Sequence, residues 1–157
     1  MIAADRQHNP FIRTPAGGRL LSALTLPGFV IRPPAGFGVL TTTGRRTGKA
    51  RPKCVRAIRR GDKAYIVSIR PTAWLKNVRA NPVVRLRIRG GTFSGVVREL
   101  DEGERQEAMD AYCETVNPND YVECLIWRSG RPTRAKIKEL HRTWFSTGTP
   151  MVVDLRA

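Results

Sequence analysis

The chain has 157 residues, with 28 Lys and Arg against 13 Asp and Glu and a net charge of +15 at neutral pH. That length suits one compact domain with a real core, and no stretch reaches the roughly 18 apolar residues that a membrane span needs. No charged start leads into an apolar run and a small-residue cleavage site, so no secretory signal is expected and the chain reads as cytoplasmic. Cys54, Cys113 and Cys124 are an odd number without metal-ligand spacing, as for reduced, buried cysteines. His8 and His141 are the only histidines, so no metal site built on histidine is expected.

Taken in order, residues 1–35 read as an N-terminal segment and 36–157 as the main domain. Met1 to Thr14 is polar and without periodicity. Arg19 to Leu26 is a short apolar stretch, read as a helix ended by Pro27 and Gly28. It covers the core or, with residues up to Val30, touches a membrane surface. Leu40 to Thr43 then suits a strand. Gly44 to Lys49 (GRRTGK) makes a tight turn with two permissive glycines, and a second strand is expected from Pro52 to Arg60. The hairpin tip offers hydroxyls, backbone N–H groups and fixed positive charge, a set that suits a multiply anionic ligand. A merely solvated turn is the plainer alternative. Residues 39–60 hold eight Lys and Arg and no acid, whereas solvated surfaces usually mix signs.

Lys63 to Ile69 is a third strand. Thr72 caps a helix over Ala73 to Ala80, in which Trp74, Asn77 and Val78 share a face, and Asn81-Pro82 ends it. Val83 to Arg89 alternates: Val84, Leu86 and Ile88 point one way, Arg85, Arg87 and Arg89 the other. Gly90-Gly91 turns the chain into a strand over Thr92 to Leu100. Five strands with one small inserted helix argue for an antiparallel sheet closing into a barrel. Glu102 to Val116 then reads as a helix with Met109, Tyr112, Cys113 and Val116 on one stripe. Tyr121 to Trp127 is a shorter apolar turn or helix. A third helix starts near Thr133 with Ile137, Leu140, His141 and Trp144 inward, and Met151 to Leu155 is a strand that pairs back into the barrel.

Charge divides the chain. Residues 39–98 hold sixteen bases and one acid, Asp62, while residues 99–157 hold eleven acids and eight bases. The cationic block draws a phosphorylated cofactor, nucleic acid or an anionic membrane surface.

LTTTGRRTGKARP, followed by AWLKNVRANP and a closing TPMVVDL, resembles the deazaflavin-dependent nitroreductase family, common in actinobacteria. The resemblance is carried by about Gly38 to Leu100 and the last strand. It implies a mainly β fold with α, a split β-barrel of the antiparallel, FMN-binding-like kind with a small inserted helix and C-terminal helices. It also implies coenzyme F-420 as cofactor rather than FMN. That cofactor is an 8-hydroxy-5-deazaflavin with a phosphate and an oligoglutamate tail. By the resemblance, Arg45, Arg46 and Thr47 meet the phosphate and tail. Arg51, Pro52, Lys53, Cys54 and Val55 run beside the ring and ribityl chain. Val67, Ser68, Ile69 and Arg70 line the ring edge, and Ala73, Trp74 and Asn77 close the pocket.

The activity implied is hydride transfer from the reduced cofactor to a quinone, nitroaromatic or similar small electron acceptor. The chain departs from the family pattern in a shorter loop between Ser68 and Trp74, in Lys53 and Cys54, and in a longer segment before the last strand. Tyrosines expected there for substrate contact are missing. His141 stands at one such position, either as a proton or hydrogen-bond donor to substrate or as a core residue. Tyr112 and Tyr121 read as packing.

The rival readings are a barrel that holds the deazaflavin or a lipid without turnover, and nucleic-acid binding through the arginine face. Few aromatics interleave with the basic strands, so no specific nucleic acid is expected. A homodimer is expected from the fold class.

Overall fold

The computed structural model describes Pro27, Gly28 and residues 30–156. The apolar stretch Arg19 to Leu26, and with it most of the segment read as a membrane contact, lies outside the described residues. Seven strands form one antiparallel sheet: β1 (Phe37–Thr43), β2 (Ala50–Arg56), β3 (Ile58–Arg60), β4 (Lys63–Ser68), β5 (Val83–Ile88), β6 (Gly91–Glu99) and β7 (Thr149–Arg156). Helix α1 (Ala73–Ala80) lies between β4 and β5. Between β6 and β7 come α2 (Arg105–Glu114), α3 (Pro118–Trp127) and α4 (Arg134–Thr147).

The sheet order is β2-β1-β5-β6-β7-β4-β3. Its two edge strands are therefore consecutive pieces of one chain segment, separated by Ala57 alone. A sheet whose opposite edges are so tied has to curl until they meet, which is how the split barrel closes. The single strand expected over Pro52 to Arg60 is thus two strands. Arg56 and Ala57 are both buried, which breaks the in-and-out alternation of a flat strand. Ala57 N–H leaves the ladder to donate to Gly36 O at 2.9 Å.

β4 is buried on both faces and divides two cores. Ala64 and Ile66 face the barrel interior with Leu40, Leu86, Val153, Trp74 and Val78. Tyr65 and Val67 face the other way, onto Tyr112, Leu140, Trp144 and Phe145 of the C-terminal helices. β5 shows the expected alternation, with Val84, Leu86 and Ile88 buried and Arg85 and Arg87 exposed. β7 inserts between β6 and β4, with Val97 opposite Val153 and Ile66 opposite Met151. Gly95 is needed there, because a side chain would meet Val153 Cγ1 at 2.7 Å and Asp154 O at 2.8 Å.

The C-terminal helices differ from expectation in two ways. Glu102–Glu104 is a 3-10 turn, and α2 proper ends at Glu114, short of Val116. Its buried stripe is Ala108, Ala111, Tyr112 and Cys113, while Met109 is exposed. In α3 the amphipathic sense is reversed: Asp120 and Cys124 face inward, and Tyr121, Val122 and Leu125 face out. Arg56 explains the reversal for Asp120. Its Nη1 donates to Asp120 Oδ1 at 2.6 Å, and its Nη2 donates to Tyr112 O at 2.9 Å and Thr115 O at 2.8 Å.

Both side chains of that ion pair are almost fully buried, so removing one partner strands the other without solvent. Arg56→Leu is expected to lower the unfolding free energy by about 3–5 kcal/mol, read from urea denaturation. A loss below about 1 kcal/mol would show that the pair is not what holds α3 to the sheet.

Candidate functional site

A cleft of about 780 Å³ opens between the β1–β2 hairpin, the loop after β4 and the start of α1. The hairpin contributes Gly44, Arg45, Arg46, Thr47, Arg51, Pro52 and Lys53. The loop contributes Arg70, Pro71 and Thr72, and the helix contributes Ala73, Trp74 and Asn77.

Each part has a local reason for its shape. At the hairpin tip Gly44 N–H donates to Lys49 O and Gly48 N–H to Gly44 O, both at 2.8 Å. Gly48 takes φ +68°, a left-handed conformation that glycine adopts without strain. Thr47 Oγ1 accepts from Arg51 Nη2 at 3.2 Å. In the loop, Ser68 Oγ donates to Arg70 O at 2.6 Å and lies 3.0 Å from Thr72 Oγ1. Thr72 Oγ1 also accepts from Leu75 N at 3.3 Å, capping α1. The first turn of a helix presents N–H groups without intrahelical partners and the positive end of the dipole. Ala73 and Trp74 place that end at the cleft.

Asn77 joins the parts. Its side chain is buried, its Nδ2 donates to Thr42 Oγ1 at 3.1 Å, and its Oδ1 accepts from Arg45 N at 3.3 Å and Arg45 Nη1 at 3.2 Å. One amide thus fixes the hairpin tip to the helix. Among the described residues the cleft wall carries five cations, Arg45, Arg46, Arg51, Lys53 and Arg70, and no carboxylate. Lys53 shows what that costs. Burial pulls its ammonium below the ordinary lysine pKa; nearby Cys54 works against the shift and the positive charge of Arg70 adds to it. A wall of one sign in a concave surface focuses its field on an anionic ligand.

Of the residues assigned to the site from sequence, Arg45, Arg46, Thr47, Arg51, Pro52, Lys53, Arg70, Ala73, Trp74 and Asn77 line the cleft. Cys54, Val55, Val67, Ser68 and Ile69 do not. Val55 packs on the barrel interior, and Val67 and Ile69 belong to the core under the helices. Ser68 is buried and acts on the loop through its hydroxyl. Gly44, Pro71 and Thr72 line the cleft without having been assigned to it; the cap signal at Thr72 was the one available clue.

His141 is placed elsewhere, which corrects its reading as a substrate-facing donor. It is 1% exposed and packs its ring against Tyr112 and Trp144, at 5.9 Å between centroids in each case. Burial, with Arg56 nearby, holds its pKa down at about 3, so it is neutral at pH 7. Tyr112 is likewise a core residue, while Tyr121 is on the exposed face of α3.

The described residues thus form a seven-stranded antiparallel split barrel with a cationic cleft beside a capped helix. Residues 30–127 match the family described as F-420H(2)-dependent quinone reductase, and the chain belongs to that family. The cofactor of the family is coenzyme F-420. No curated protein matches the chain.

Among solved structures, the chain is similar to an F-420-H(2) dependent reductase (FDR-A), at TM-score 0.53 and 21% identity over 76% of this chain and 94% of that one. It is also similar to a protein described as a domain-swapped dimer, at TM-score 0.54 and 20% identity over 88% and 93%. A third is an FAD-binding protein from Mesorhizobium loti, at TM-score 0.51 and 14% identity over 87% and 89%. At these identities the likeness is one of fold, and the FAD-binding neighbour shows that the fold alone does not select the cofactor.

Asn77 offers a direct check on how the cleft is built. Asn77→Leu keeps the bulk but leaves the Thr42 hydroxyl unpaired in a buried place and frees the hairpin tip. We expect a stability loss of about 1–3 kcal/mol and faster amide exchange at Arg45, measured by denaturation and hydrogen exchange. Unchanged exchange at Arg45 would mean that the tip is held by something else.

Proposed function

We propose that this chain binds coenzyme F-420 in the cleft and acts as an oxidoreductase on a quinone, a nitroaromatic or a comparable small acceptor. The observation that carries the reading is the cleft wall of five cations without a carboxylate, in a chain of this family. The donor set fits the cofactor, which is anionic along its phosphate and oligoglutamate tail. When bound, F-420 in its reduced form supplies a hydride from C5 of the deazaflavin ring.

The chain's own residues do the rest. Arg45, Arg46 and Thr47, on the open hairpin tip, would hold the phosphate and tail, with Asn77 keeping Arg45 in place. Lys53 and Arg70 would sit by the ring and favour the negative charge that it carries once oxidised. Trp74, with its side chain buried against the barrel core, gives the cleft a rigid apolar floor that keeps water from one side. Among the described residues no His, Tyr, Asp or Glu lines the cleft, so a proton for the reduced acceptor comes from the Lys53 ammonium or from solvent. Among the described residues no helix is long and apolar enough to cross a membrane. We take the protein to work in the cytoplasm as a homodimer, a state supported by the domain-swapped neighbour and by the exposed apolar side of α3.

The second reading, a barrel that holds F-420 without turning it over, is favoured by the same lack of a tyrosine or histidine in the cleft. An anaerobic assay following reduced F-420 with menadione separates the two. We expect protein-dependent oxidation of the cofactor. Arg46→Ala is expected to raise the KM for F-420 about tenfold or more with kcat little changed, because a remote anchor contributes equally before and at the transition state. Binding without oxidation would transfer the assignment to the holding role.

A further inference from the structure

Helix α3 turns two carboxylates inward while Tyr121, Val122 and Leu125, at 38%, 56% and 57% exposure, face solvent. A helix that buries acids and exposes apolar groups reverses the usual free-energy preference, so the buried side must hold compensating partners. Arg56 compensates one acid only. Its guanidinium is committed to Asp120 Oδ1 and to the carbonyls of Tyr112 and Thr115. The other Asp120 oxygen accepts the Asn117 N–H at 2.6 Å.

Glu123 lies one helical turn after Asp120, on the same face. Its Oε2 is buried and has no hydrogen-bond partner. The same is true of Nδ1 of His141, a residue that reaches the spot from α4 and is 99% buried. One ligand atom from each of Asp120, Glu123 and His141 lies within 4.8 Å of the other two. Around a tetrahedral ion with bonds of about 2.1 Å, ligand atoms stand about 3.4 Å apart, so small side-chain rotations bring this set into a coordination sphere. Two carboxylates face a single guanidinium, which leaves one negative charge for a cation to match. An imidazole nitrogen with two carboxylate oxygens suits zinc and its first-row neighbours better than the all-oxygen preference of magnesium or calcium.

We propose that Asp120, Glu123 and His141 form a binding site for one divalent cation of the zinc type, with the fourth position left to water. The scarcity of histidines in the sequence argued against such a site, but one histidine suffices once the fold brings the two acids to it. None of the three residues lines the cleft, so the site is separate from the proposed cofactor chemistry and does not depend on that reading. Its role is to fasten α3 to α4 above the Arg56 bend. The competing arrangement needs no metal: burial pushes the Glu123 carboxyl up to about 8, and a proton with a water could occupy the same gap.

The test uses the full-length protein stripped with a chelator and titrated with zinc chloride by calorimetry, and with cobalt(II) by absorption. We expect one ion per chain, a raised melting temperature and a cobalt spectrum of low coordination number. Glu123→Gln and His141→Gln are each expected to weaken zinc binding by a hundredfold or more. Glu123→Gln, which keeps shape and volume, decides the matter if His141→Gln fails to fold, with circular dichroism as the check. Absence of stoichiometric zinc binding by the parent chain would overturn the proposal in favour of the protonated arrangement. So would binding that persists in Glu123→Gln, since the ion would then sit on other groups.

Discussion

The segment from Ala50 to Arg60 is the constraint on which the rest of the molecule depends. Its first half pairs with β1 at one edge of the sheet and its second half with β4 at the other. The bend between them lies where Arg56 dives into the protein to meet Asp120. That buried ion pair ties the bend between the two edge strands to α3. Arg51 and Lys53 reach the cleft because the strand carrying them is anchored a few residues further on.

The cleft itself is a place where folding works against electrostatics. Several cations are gathered on one concave wall without acids between them, and burial already depresses the Lys53 ammonium. Ion pairs away from the cleft include Arg98 with Glu104 and Asp154, Lys63 with Glu104, and Arg142 and Lys138 with Glu114. Acids are thus available in the chain and are used away from the cleft. A concave wall of one sign focuses its field on a long anionic ligand.

Much of this was legible in the sequence, because local rules settled it. Strict alternation in VVRLRI could only be a half-buried strand, Gly48 marked the tight tip, and Thr72 with Asn81-Pro82 set both ends of α1. The hairpin and helix residues of the cleft follow from those elements and from the unbroken positive charge. What could not be read depends on distant partners. Nothing near Ala57 announces a break, since the acid that Arg56 is buried against lies 64 positions further along the chain from it. The inward face of α3 has the same origin, since Asp120 is turned in by Arg56, far from it in the chain. Val67 joins the core under the helices because β4 is buried on both sides, and a sequence does not say which of two cores an apolar residue joins.

The central claim is that the cationic wall grips the acidic part of a deazaflavin, and equilibrium titration with oxidised F-420 tests it most directly. Saturable spectral binding at low ionic strength should weaken at least tenfold as salt shortens the Debye length from about 30 Å to about 3 Å, and should weaken likewise when Arg45 and Arg46 are both replaced by Ala. An absence of binding at low salt, or an affinity indifferent to salt and to those two arginines, would contradict the account.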